Sequence, residues 1–487
     1  MTKQELQPAG IFKYFGDICL IPHASKHEKE IIHFLKSFAA EHGLPIKCDA
    51  AGNVLISKPA SKGMENRPTI VLQSHLDMVC EKNSSSNHNF DTDPIDWYIA
   101  DDGWIKAKDT TLGADCGIGI AAQLALLVDK SLVHGPIECL FTIDEETGLT
   151  GAKALESGFM TGNILINLDS EDEGELFIGC AGGVDIVGTF DYTTEPLPEG
   201  YALFQYTVSG LIGGHSGDDI NRGRGNAVKI ATRFLWQTQQ ACNIRIGKFT
   251  GGNLRNAIAR EASALIAVDK SQIAALTQLF EKHQAEIKIE LSFSDVGIQQ
   301  TLAETPRTTD ICLIDQATQT RLLHCLQACP HGVIAMSHTM PGLVETSTNL
   351  ASVKFVENNR ILVGTSQRSS VENAKYNIAH TVDAVFRLAR AELKYGDGYP
   401  GWAPNVNSPI LALTKSAYQR LFHTEPEVKA IHAGLECGLF LEKYPQLDMI
   451  SFGPTIKNAH SPDEKLDIQS VEKFWLLLLE VLRGVKS

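Results

Sequence analysis

The sequence predicts an α/β chain: one domain with a mostly parallel, helix-covered mixed sheet, drawn from both ends of the polypeptide, plus an inserted α+β lid domain of two similar halves. Three observations carry this. Short apolar runs, TIVLQ before Ser74-His75, IECLFTI before Asp144-Glu145-Glu146 and ILINL before Asp169, read as strands buried on both faces, as parallel strands are. Helical stretches such as residues 28–41 and 118–132 alternate with them. The texture then changes at Ala181-Gly182-Gly183 and reverts after Tyr395-Gly396-Asp397-Gly398-Tyr399-Pro400-Gly401, a return linker rich in chain-breaking residues.

Those breaks divide the chain into 1–183, an inserted lid at 184–397, and 398–487, which returns to the first domain. Within the lid a strand, helix, strand order reads twice. One copy runs from YALFQYTVSG through a helix at 227–239 to ALIAVD, the other from EIKIELSFSD through 318–328 to SVKFVE. Beyond the linker, signals resume through Met449-Ile450-Ser451-Phe452 to a closing amphipathic helix. Ligand sites of open α/β sheets lie beyond the carboxyl ends of the strands, and the catalytic cleft is expected there, between the two domains.

Composition sets the outer limits. The 487 residues suit roughly two to four domains of about 150 residues each. An apolar content of 43% fills real cores, and 21% charged residues is ordinary for a globular protein. A net charge of −15 and a pI near 5.5 oppose nucleic acid and anionic membrane as partners, since affinity for both rests on Lys and Arg. Eleven cysteines stand singly, without CxxC pairs, as reduced thiols would. MTKQELQPAGIFKYF lacks the basic and apolar blocks of a secretory signal, and apolar runs stay below the ~18 residues of a membrane span. The expected location is cytoplasmic.

His75, Asp115, Glu146, Asp169 and His460 each follow a short apolar run, the pattern of a two-metal hydrolase. In Ser74-His75-Leu76-Asp77 the imidazole and carboxylate are two apart at a strand end, so both can face one side. Asp77 would then fix the ring of a metal-binding His75, although an ordinary turn reads the same way. Asp115, in the turn Leu112-Gly113-Ala114-Asp115-Cys116-Gly117, is a ligand or a plain N-cap of the following helix. Glu145 and Glu146, neighbours on a strand end, would point apart, Glu146 to metal and Glu145 to substrate; a solvated acidic turn is the rival. Asp169 and His460 alone read as loop residues. Mixed imidazole and carboxylate donors suit zinc, with cobalt or manganese as competitors.

Taken in order with Gly214-His215-Ser216-Gly217, these motifs make the whole chain resemble the zinc peptidases that include carnosinase, aminoacylase and glutamate carboxypeptidase. The resemblance implies a zinc-peptidase catalytic domain holding two Zn2+ per chain, replaceable by Co2+ or Mn2+, and a small peptide as substrate. Asp115 would bridge the ions, His75 and Asp169 complete one site, and Glu146 and His460 the other. Asp77 would orient His75, and Glu145 would be the general base. His215 would bind the substrate carbonyl oxygen, with Asn256 and Arg368 holding the rest of the substrate. The implied activity is hydrolysis of short unblocked dipeptides, with histidine second as in carnosine; deacylation of N-acyl amino acids is the alternative. In dimeric relatives the matching histidine serves the neighbouring subunit. Here the doubled lid suggests that His215 serves its own chain, although a homodimer stays open.

Overall fold

The computed structural model describes residues 2–307 and 311–486. Cα packing divides the chain into two units. The first comprises Met1–Cys180, Trp402–Ala430 and Leu435–Ser487, and the second Ala181–Gly401 with Ile431–Gly434.

The first unit is built on an eight-stranded sheet in the order Ile46–Cys48, Val54–Lys58, Ile137–Thr142, Ile70–His75, Ile164–Asn167, Asp448–Ser451, Glu175–Cys180, Glu427–Ile431. The four central strands run parallel, and the three that carry TIVLQ, IECLFTI and ILINL are the apolar runs of the sequence. Every residue of Ile70–His75 and Ile137–Thr142 is buried, which is why Ile70-Val71-Leu72 and Cys139-Leu140-Phe141 run apolar on both faces rather than alternating. Their parallel register brings the carboxyl ends, with His75, Asp144-Glu145-Glu146 and Asp169, to one edge. The helix Ala114–Val128 packs on Ile70–His75, and Pro409–Phe422 on Asp448–Ser451. A second, four-stranded sheet joins Ile456–Lys457, Lys465–Asp467, Trp104–Ala107 and Trp97–Ile99. Lys465 pairs with Lys106 and Asp467 with Trp104, so this sheet anchors both the approach to Asp115 and the loop that carries His460.

The second unit is a nine-stranded sheet with helices Ala227–Cys242, Ile273–Glu290, Gln316–Ala328 and Glu372–Leu388 sharing one apolar core, in which Phe234, Leu276, Leu322 and Phe386 are fully buried. Its order is Gln299–Thr305, Tyr201–Ser209, Ala262–Asp269, Arg245–Gly251, then Val344–Val356, Arg360–Ser369, Gly182–Asp191, Glu392–Tyr395, with Gly332–Met336 on Val344–Val356. Each half is strand, helix, two strands, helix, strand, and the second half repeats the first in reverse spatial order. Two ferredoxin-like modules thus meet along one seam, where Gly251 pairs with Val353.

The halves are interleaved in a way the repeat reading misplaces. EIKIELSFSD is not a strand: Ile273–Glu290 is helical, and the rest of the segment is a turn after it. Ile287, Ile289 and Leu291 alternate by chance, while the helix buries Leu276, His283 and Ile287 on its own period. The opening strand of the second half is Gly182–Asp191, which precedes the whole first half in the chain. Ile431–Gly434, far along the sequence, also packs with this unit.

Candidate metal centre

The carboxyl ends of the central strands, the turn before Asp115 and the loop bearing His460 bring together all seven of the first unit's sequence candidates. His75 Nε2 lies 3.1 Å from Asp115 Oδ1 and 3.2 Å from Asp169 Oδ1. His460 Nε2 lies 3.2 Å from Asp115 Oδ2 and 3.0 Å from Glu146 Oε1. Asp115 therefore stands between two imidazoles, one carboxylate oxygen toward each. Donor atoms of Asp115, Glu146 and His460 fall within 4.8 Å of one another, as do those of His75, Glu145 and Glu146. A third such group, His75, Cys116 and Asp169, includes a thiol. The Cys116 thiol hydrogen-bonds the Leu168 carbonyl, and burial pushes its pKa well up, so it remains a buried thiol rather than a thiolate ligand.

These donors fit a cation. His75 Nδ1 sits 2.9 Å from the Asp77 carbonyl, which only an N–H can satisfy, so the neutral ring presents the bare Nε2 lone pair to two carboxylate oxygens. Asp169 Oδ1 is buried with no aligned hydrogen-bond donor. Without a cation, such a cluster is tolerable only if the imidazoles take protons. Burial alone would push His75 down, but Asp169, Asp115 and Asp77 overcome it and hold the ring well above its ordinary pKa. Hydrogen bonds to Asp115 and Glu146 push His460 up to about 11. Burial and the Asp115 charge, against the pull of His75, lift Asp169 to about 6.

A pH dependence follows. Raised imidazole pKa values stabilise the metal-free fold below the unfolded value of 6.5, and that contribution is lost as pH climbs toward the folded values. A cation needs the neutral ring, so a cation bound in this cluster would displace the protons of His75 and His460. Calorimetry at pH 7 in buffers of different ionisation enthalpy should record net proton release on metal addition, and apparent affinity should strengthen as pH rises. Uptake without proton release would contradict the cluster.

Local structure explains how the side chains converge. Gly113 at φ +71° makes the turn before Asp115, and a Cβ there would lie 2.9 Å from Met78 Sδ. Glu145 and Glu146 do not extend a strand: after Asp144 at φ +49° they open the short helix Glu145–Gly148, so helical rotation, not strand alternation, separates their directions. Asp77 does more than the sequence suggests. Its carboxylate accepts the Glu145 N–H at 2.9 Å, the Glu146 N–H at 3.2 Å and the Ser25 hydroxyl at 2.7 Å, while Oδ1 stays 3.4 Å from His75 Nδ1. Despite the cost of burial, His75 and these donors bring it down to about 2. Burial, with Asp169, Glu436 and Glu146 nearby and His75 opposing, holds Glu145 well above the carboxylate range.

Two acids escaped the sequence reading. Glu436, fully buried, accepts from Gln73 Nε2 at 2.6 Å and Thr142 Oγ1 at 2.8 Å, and burial pushes it up to about 8. Glu464 accepts the backbone N–H groups of Leu112, Gly113 and Ala114. Single acids whose partners lie about three hundred or more positions away leave no local signature.

In the second unit, His215 Nδ1 lies 3.1 Å from Asp218 Oδ2, and the Ser216 N–H donates to the Asn256 carbonyl while the Asn256 side chain is exposed. Arg368, buried on its strand, donates to Tyr399 Oη at 3.0 Å. His432 hydrogen-bonds Ser347 Oγ at 2.7 Å, and burial with the Arg368 charge pushes it down to about 4. Asp218, Tyr399 and His432 were absent from the sequence candidates.

A mixed sheet with a parallel centre and an imidazole and carboxylate cluster at the carboxyl edge of that centre defines a metal-dependent hydrolase. The chain belongs to the peptidase family M20/M25/M40, whose pattern matches residues 71–483. It is 43% identical over 483 residues to the cytosol non-specific dipeptidase of Escherichia coli (strain K12), covering 99% of each chain. The crystal structure of aminoacylhistidine dipeptidase from Vibrio alginolyticus matches with a TM-score of 0.94 at 44% identity, covering 100% of this chain and 99% of that one. Aminopeptidase PepT from Bacillus cereus, 16% identical over 99% of each chain with a TM-score of 0.57, shares the fold. The protein is accordingly a dipeptidase of a metal-dependent family. No helix among the described residues is long and apolar enough to cross a membrane.

Proposed function

We propose that the chain is a cytoplasmic dinuclear zinc dipeptidase that hydrolyses short unblocked dipeptides with histidine second, carnosine-like substrates included. Cobalt or manganese would replace zinc. The observation that carries the two-cation reading is Asp115, one oxygen toward His75 and the other toward His460. The Vibrio relative, described as an aminoacylhistidine dipeptidase, supports the histidine preference.

His75 and Asp169 would hold one cation, Glu146 and His460 the other, and Asp115 both. When bound, such cations lower the pKa of a water and polarise the scissile carbonyl. Glu145 takes the proton of the attacking water and returns it to the departing amine, a role suited to a carboxyl whose pKa burial has raised. Asp77 fixes the ring of His75 through its carbonyl and the Glu145-Glu146 backbone through its carboxylate, so both the ligands and the base are held before substrate arrives. To His215 we assign the substrate carbonyl oxygen, and to Asn256 and Arg368 the remainder of the substrate, where the Arg368 fork suits a terminal carboxylate.

His215 is assigned to its own chain. The hairpin strand Arg245–Gly251, which would otherwise be an open edge of the first half, is already paired by the second half of the same lid. Mixing His215→Ala with Glu145→Gln protein should therefore restore no activity, and recovered turnover would establish a shared site.

The reading is tested by stripping the protein of metal, reloading it with zinc, cobalt or manganese, and offering carnosine, other dipeptides and an N-acetyl amino acid together. Cleavage of Xaa-His dipeptides is expected. Preference for the N-acyl compound would make the chain a deacylase instead.

A further inference from the structure

We propose that Glu464 is the positioning residue of the metal centre: its carboxylate clamps the turn bearing Asp115 to the loop bearing His460 and so fixes their spacing around a shared cation. This rests on the two-cation reading above. Glu464 is 2% exposed. Its Oε2 accepts from Leu112 N at 2.7 Å and Gly113 N at 3.1 Å, its Oε1 from Ala114 N at 2.8 Å and, at the long limit, from Asp115 N at 3.4 Å. One side chain gathers four consecutive N–H groups that end at the bridging aspartate.

The other end of the clamp is His460, four residues earlier. The two sit in the loop between Ile456–Lys457 and Lys465–Asp467, whose turn closes through Glu464 N to the Ser461 carbonyl and Ser461 Oγ to the Asn458 carbonyl. His460 has little packing of its own: its side chain is 51% exposed and its φ is +62°. The buried anchor of its loop is Glu464. Ligand bonds to zinc span only about 2.0–2.2 Å, so a shift of about 0.5 Å in either loop removes a donor from reach.

A simple helix cap is the competing role. The backbone argues against it, because Asp115 and Cys116 are non-helical and the N–H groups bound precede the regular turns. Glu464 therefore holds a loop, and through it a ligand.

The test is Glu464→Gln, which keeps the shape but offers one acceptor oxygen, with Glu464→Ala as the harsher variant and Asp463→Asn, an exposed neighbouring acid, as control. Metal-free protein is titrated with zinc, and hydrogen exchange is followed at the amides of 112–115. Glu464→Gln should exchange faster at those amides and bind one of two cations about 10- to 100-fold more weakly, the usual cost of losing a group that orients ligands. The metal-free unfolding midpoint should fall modestly, because the new amide NH2 faces backbone N–H donors, kcat should fall more than KM changes, and Asp463→Asn should match wild type. Unchanged cation affinity in Glu464→Gln would overturn the assignment, as would equal weakening of both cations with a collapsed metal-free midpoint. If wild type itself binds one cation, the two-cation reading fails, and Glu464 stands or falls on whether Glu464→Gln weakens that one.

Discussion

Glu145→Gln protein should keep its fold and its full complement of metal while kcat falls by about 10^2- to 10^4-fold, the range for removing a positioned proton-transfer group. The two neighbours differ in one contact: donor atoms of both lie within 4.8 Å of His75, but of the two it is Glu146 that pairs with His460. Glu146 Oε1 lies 3.0 Å from His460 Nε2 and belongs with Asp115 and His460 as a donor. Glu145 is anchored through its backbone, whose N–H donates to Asp77 Oδ1 at 2.9 Å, so glutamine at this position inherits the same anchor. Glu146→Gln should behave oppositely, weakening cation uptake first and turnover as a consequence. Measuring bound metal and turnover on the same preparations distinguishes the two. Glu145→Gln turnover near wild type, or loss of metal from that variant, would remove the general base from the mechanism.

The parts legible in the sequence are those where burial constrains every residue. Ile70–His75 and Ile137–Thr142 are covered on both faces, so Ile70-Val71-Leu72 and Cys139-Leu140-Phe141 are unbroken apolar runs, and the polar residues that follow each run fall at the carboxyl edge of the sheet. The common placement of His75, Glu146 and Asp169 at that edge is readable for that reason. Asp115 is readable because Gly113 must turn before it. Less legible is the lid, where half-exposed elements permit either period: Ile287 and Ile289 read as a strand, although Ile289 is 75% exposed and the segment is helical. The pairing of Gly182–Asp191 with Arg360–Ser369 joins residues nearly two hundred apart in sequence and is set by the sheet as a whole. Glu436 and Glu464 bind a distant amide and hydroxyl, or distant backbone N–H groups that every residue but proline carries, so nothing in the local sequence announces them.

Asp115→Asn should cost more than any other single substitution in the cluster, because among the described residues only Asp115 forms an ion pair within 4.0 Å of both imidazoles. Asp115 Oδ1 is 3.1 Å from His75 and Oδ2 3.2 Å from His460, so replacing one oxygen by an amide nitrogen removes a donor from one site and the negative charge from both. Hydrogen bonds to His460 and His75 outweigh burial and keep this carboxyl ionised, which makes it the fixed charge of the cluster. Its loss should leave at most one tightly held cation. If the missing cation supplied about 4 kcal/mol of charge stabilisation, turnover falls by about a thousandfold. Thermal unfolding gives an independent reading: a cation at a hundredfold excess over its Kd stabilises the native state by about 2.7 kcal/mol. Wild-type protein should therefore show a clear rise in Tm on adding zinc, and Asp115→Asn a rise reduced by at least one cation's share. A variant that keeps the whole rise would mean that Asp115 holds no cation, and that His75 and His460 answer to other partners.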